Sequence, residues 1–143
     1  MSRSFKFRYV RDGVDSEGEY IPDIPVIYIY IEGPRGRAWG PAVVDTGFDG
    51  GIYPNIEIIK ILRGSKPDKV KLIESPLAEP VTCEIYTVKM GLIEANTRKI
   101  SQLREAKVYV PTEPEYISDE VLIGREILNN YKIILNGETV TIL

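Results

Sequence analysis

β-Branched and aromatic side chains in this chain gather in short runs broken by glycine and proline, and that pattern constrains the fold more than any other feature. It predicts an all-β architecture. Strands are expected near Phe5 to Val10, Pro25 to Glu32, Arg37 to Val44, Lys69 to Ile73, Thr82 to Met90 and Ala106 to Val110. A closing hairpin is expected from Tyr131 to Leu135 and Glu138 to Leu143, because Asn136-Gly137 between two apolar runs is a strong hairpin signal. Two segments read as helical. Asn55 can cap a helix running to about Arg63, with Ile58, Ile59 and Leu62 on one face and Gly64 as its stop, although Ile58, Ile59 and Ile61 also suit a strand. A second helix is expected from Arg125 to Asn130, with Ile127, Leu128 and Tyr131 facing inward.

The 143 residues suit a single domain with a real core, and no linker-length loop, internal repeat or low-complexity tract divides them. Net charge is -3 with no basic stripe, which argues against a nucleic-acid partner. No apolar run reaches the length of a membrane span, and the start MSRSFKFRYV does not read as a signal peptide. The single cysteine, Cys83, rules out an intrachain disulfide, so a reducing, cytoplasmic setting is expected. There is no histidine. Ser-His-Asp and Cys-His hydrolysis both need an imidazole base, and the usual catalytic zinc sites need imidazole ligands. Any acid–base chemistry here therefore falls to carboxylates, lysine or tyrosine, and no metal or cofactor is expected.

The stretch that carries chemistry is Ala42-Val43-Val44-Asp45-Thr46-Gly47. An apolar strand runs straight into an acid, a hydroxyl and a glycine. A carboxylate ending a buried strand is costly unless something satisfies it. Thr46 can donate locally, and Gly47 permits a tight turn. Taken alone, the tripeptide also fits an ordinary strand-ending turn. About 75 residues later, a spacing that serves as part of the motif, comes Val121-Leu122-Ile123-Gly124-Arg125-Glu126-Ile127-Leu128.

In these two stretches the chain resembles the retropepsin-like aspartic proteases. That family pairs an apolar-apolar-Asp-Thr-Gly turn with a later apolar-apolar-Gly-Arg that opens a short helix. The resemblance extends from about Pro25 to Leu143, leaving residues 1–23 as an extension of unassigned role. It implies a closed β-barrel and an aspartic endopeptidase with Asp45, Thr46 and Gly47 at its catalytic turn. Leu122, Ile123, Gly124 and Arg125 would support that turn from beneath, and Asp49 would pair with Arg125. Phe48, Asp49 and Gly50 would face substrate, together with a flap around Glu74 to Thr82 whose tip includes Ser75, Pro76, Leu77 and Ala78.

The chain departs from the family where Phe48, Gly50 and Gly51 follow the motif in place of the usual alanine and hydroxyl residues. It also lacks a glycine-rich flap, and Pro76 and Pro80 suggest a stiffer one.

The chemistry needs two facing carboxylates, and one Asp-Thr-Gly occurs here. The resemblance therefore implies a twofold homodimer acting on peptides or unfolded protein, with Glu138 to Leu143 as a candidate interface strand. A non-catalytic dimerisation or peptide-binding module on the same fold is the alternative, and a chance match in an unrelated β-barrel is a third reading. Trp39 reads as a core or interface residue ahead of a pocket residue. Cys83 reads as a buried small residue. Tyr28, Tyr30 and Tyr53 read as packing residues, and Glu113, Glu115, Asp119 and Glu120 as a solvated loop rather than a cation site.

Overall fold

β2 (Val26–Gly33) and β3 (Gly36–Val44) form a hairpin whose alternation sets the inside and outside of the molecule. On β3, Ala42 and Val44 are buried while Trp39 and Pro41 are exposed, the period of a strand with one covered face. The structure is a computed structural model and describes residues 4–75 and 78–143. Further along come β4 (Ile52–Tyr53), helix α1 (Ile56–Ile61), β5 (Lys69–Ser75), β6 (Ala78–Leu92), β7 (Arg104–Pro111), β8 (Val121–Ile123) and helix α2 (Arg125–Leu128). β9 (Ile133–Leu135) and β10 (Thr139–Ile142) close the chain, and β1 (Phe5–Arg8) precedes the hairpin.

The main sheet runs β2-β3-β8-β4-β7-β6-β5. A further pairing of β2 with β6 closes the first six of these into a ring, so the molecule is a closed β-barrel. Ile52, Val108 and Ile123 pair across three adjacent strands and are fully buried, which places the centre of the core there. β5 lies outside the ring and pairs only with β6. The upper part of β6 meets β5 and its lower part meets β2, so this one strand serves both a projecting hairpin and the barrel wall.

A second, three-stranded sheet has the order β1-β10-β9. β10, within the candidate interface segment Glu138 to Leu143, lies in the middle of this sheet, and its outer strands are β1 and β9. Phe5 and Phe7 of β1 are buried, with Phe7 stacked on Tyr28. Residues 9–25 then leave and return through the bridges Val10–Ile24 and Val14–Tyr20. The N-terminal extension is thus one core strand plus a self-closed arm.

Both helices form where expected, somewhat shorter. Asn55 caps α1 by accepting the Ile58 N–H at 3.1 Å. Ile58, Ile61 and Leu62 are buried, with Ile59 at the margin. The last hairpin turns through Gly137 at φ 89, and the Asn136 side chain accepts from the backbone of Glu138 and Thr139. Among the described residues no helix is long and apolar enough to cross a membrane.

Candidate active site

β3 runs parallel to β8, and the chain then returns as β4 on the other side of β8. The connecting turn, residues 45–51, must therefore cross over the end of β8. That crossing lays Phe48 and Gly50 directly over Gly124, with Asp45 bonded to Ile123 at the start of the turn. The backbone ties are short: Asp45 N–H donates to Ile123 O at 2.9 Å and Gly124 N–H to Gly51 O at 2.8 Å. Arg125 N–H donates to Phe48 O at 2.8 Å and Glu126 N–H to Gly50 O at 3.1 Å. The first N–H groups of α2, which have no partner within the helix, thus hold the turn down.

Gly124 is glycine for a steric reason. A Cβ there would stand 2.2 Å from Gly50 O and 2.6 Å from Phe48 O. Gly50 is similarly confined, since a Cβ would meet the Phe48 ring at 2.5 Å and the Tyr109 ring at 2.9 Å.

Asp45 is half-buried, and its Oδ1 accepts the Gly47 N–H at 3.0 Å. Thr46 and Gly47 are exposed beside it. Phe48 points inward. It packs edge-on against Tyr53 and Tyr109, and Cys83 and Ile85 complete a small buried cluster. Ile73 of β5, Val81 of β6 and Leu122 of β8 pack against that cluster, so the base of the projecting hairpin and the Asp45 turn share one apolar patch.

Two tyrosines brace the turn. Tyr109 donates to Glu126 Oε2 at 2.8 Å. Burial, then the Glu126 carboxylate, then the charge of Asp49 push its phenol well above the ordinary range. Tyr53 donates to Tyr116 O at 2.5 Å, and burial pushes it up to about 12. Neither phenol ionises near neutrality, so both remain donors. Their part was not visible in the sequence, where Tyr109 reads as one more apolar strand residue. Cys83 is fully buried, and burial raises its thiol to about 11.

With this geometry in view, comparison with solved structures is informative. A crystal structure of a retropepsin-like aspartic protease from Rickettsia conorii aligns with a TM-score of 0.55. It covers 98% of this chain and 91% of that one, at 15% sequence identity. The fold is retropepsin-like. Sequence comparison finds no matching family model and no matching curated protein.

The expected Asp49–Arg125 ion pair is not formed. Both side chains are exposed, and the ion pairs among the described residues are Lys60–Glu57 and Lys107–Asp68. The backbone bonds from the start of α2 do the bracing instead. Asp49→Ala and Arg125→Ala are each expected to cost under about 1 kcal/mol in denaturant unfolding, the range of exposed charges. A loss of about 3 kcal/mol or more would show that the pair is buried after all.

Of the expected flap tip, Pro76 and Leu77 lie outside the described residues. Ser75 and Ala78 are placed in register across β5 and β6. Among the described residues no group of acids or Cys83 is gathered as a metal site.

Proposed function

We propose that the protein is an aspartic endopeptidase that works as a twofold homodimer, with one Asp45 contributed by each subunit. The observation that carries this reading is the construction of the Asp45 turn. An acid half-open to solvent ends a barrel strand, and the turn is bonded from below to a glycine that opens a helix. A carboxylate fixed in this way on an open surface, with one such acid per chain, is half of a two-carboxylate site.

Two Asp45 side chains sharing a site cannot both ionise readily, so one keeps its proton. The ionised carboxylate takes a proton from a water as the water oxygen attacks the peptide carbonyl carbon. The protonated carboxyl donates to the carbonyl oxygen. Collapse of the tetrahedral species breaks the C–N bond, with a proton delivered to the leaving nitrogen. Thr46 would hydrogen-bond across the twofold axis. A substrate strand would lie between the Asp45 turn and the β5–β6 hairpin, held by its backbone as an added strand. Histidine and a nucleophilic thiol are not required, in keeping with a sequence that has no histidine and a sealed Cys83.

The test is incubation of the purified chain with an unfolded protein from acidic to neutral pH, read by mass spectrometry of the fragments. Discrete cleavage in some part of that range is expected. Intact substrate at every pH, from a chain verified as dimeric, would remove the proposal.

A further inference from the structure

A recess of about 430 Å³ opens beside β3, and Asp45 is not among the residues that line it. It lies where the barrel ladder is incomplete. Along Ala38–Pro41, β3 is paired with β2 on one side, while its other neighbour, β8, joins only at Ala42. This short stretch of backbone is therefore an open strand edge inside a hollow. Trp39, 62% exposed, and Pro41 stand on it, and Ile58 of α1 also lines the recess. Val10 and Ile24 from the root of the N-terminal arm add to the apolar lining, as do Ile29 and Ile31 of β2.

The charged groups of the lining are all acids: Glu57, Asp119 and Glu120, with no lysine or arginine among them. Glu57 has Lys60 at 3.4 Å. Asp119 and Glu120 have no ion-pair partner among the described residues.

We propose that this recess is a docking site for an extended polypeptide segment in which apolar residues alternate with lysine or arginine. An open strand edge offers backbone N–H and C=O groups, which an extended peptide satisfies by adding as a strand. Successive side chains of such a strand point to opposite sides. One set enters the apolar hollow, and the other reaches the acids at its rim. Anionic ligands, nucleic acid included, are disfavoured by the same rim.

Trp39 is the only tryptophan, so its emission reports occupancy of the recess directly. The binding experiment uses the full-length Asp45→Asn protein, so that no peptide is consumed and the outcome does not depend on the peptidase proposal. The probe is a short peptide alternating valine and lysine, with a valine–glutamate peptide as control. The lysine peptide is expected to shift Trp39 emission saturably and to bind at least about tenfold more tightly than the glutamate peptide, a difference of about 1.4 kcal/mol. The double variant Asp119→Lys, Glu120→Lys is expected to lose at least about tenfold in affinity. Backbone amide shifts at Ala38 to Gly40 in the Asp45→Asn protein provide a second readout of strand addition, and the less perturbed Asp119→Asn, Glu120→Gln protein is expected to show weaker shifts at the same peptide concentration.

No saturable change up to about 1 mM peptide would overturn the proposal, as would equal binding of the two peptides. Undiminished binding by the charge-reversed protein would do the same. Self-association of the chain that is abolished by the same charge reversal would assign the recess to a second copy and likewise overturn it.

Discussion

Asp45→Asn is expected to lower peptide hydrolysis by about 10²–10⁴-fold, the range of a general acid–base group, while the protein still folds and pairs. The amide is nearly isosteric, and its oxygen can still accept the Gly47 N–H that the carboxylate now holds at 3.0 Å. The turn is otherwise fixed by backbone bonds to Ile123 and α2, which the substitution does not touch. What is lost is the ability to take a proton from water and to share one with the opposite carboxyl. The check is hydrolysis of an unfolded protein by equal amounts of dimer, with thermal unfolding measured in parallel. Near-wild-type cleavage by a purified, folded Asp45→Asn protein would remove Asp45 from the chemistry.

Gly124→Ala is expected to be the most damaging single-methyl substitution in the chain. The added carbon would stand within 2.2 Å of Gly50 O and 2.6 Å of Phe48 O, both backbone atoms that no side-chain rotation can clear. The Asp45 turn would have to lift away from β8. Overpacking of this kind costs about 1–3 kcal/mol. Weakening the three backbone bonds from Gly124, Arg125 and Glu126 to the turn adds about 0.5–1.5 kcal/mol for each one lost. A fall in thermal midpoint of roughly 10 °C is expected, together with loss of activity, because the same movement displaces Asp45. A Gly124→Ala protein that melts like wild type and keeps its activity would show that the turn does not rest on β8 as described.

Much of the backbone geometry around the Asp45 turn was legible in the sequence because close approach leaves a residue-type signature. Gly124 and the apolar pair before it mark a strand end on which another backbone lies, and Asp45-Thr46-Gly47 marks the turn that lies on it. The short strand Ile52–Tyr53 left no such trace, since two residues cannot display a period. The 15-residue β6 was expected to start only at Thr82, because the residues before it were assigned to the flap tip. Its ladder to β5 nevertheless holds that segment extended.

Asp49 and Arg125 illustrate a different limit. The residue types match the resemblance, yet whether two exposed charges meet depends on rotamers and solvation that sequence does not encode. Trp39 was expected in a core or an interface. It stands exposed because the alternation of β3 puts it opposite the buried Ala42 and Val44. The Tyr109–Glu126 bond joins residues 17 apart on β7 and α2, a contact that no local periodicity announces.

The central claim is that one active site needs an Asp45 from each of two chains. It is tested most directly by mixing wild-type and Asp45→Asn chains at fixed total concentration, exchanging subunits, and measuring hydrolysis. A site shared across a twofold axis predicts that activity falls as the square of the wild-type fraction, to about a quarter at equal mixing, because mixed dimers are inactive. A fall in direct proportion to the wild-type fraction would mean that each chain carries a complete site, and would contradict the account.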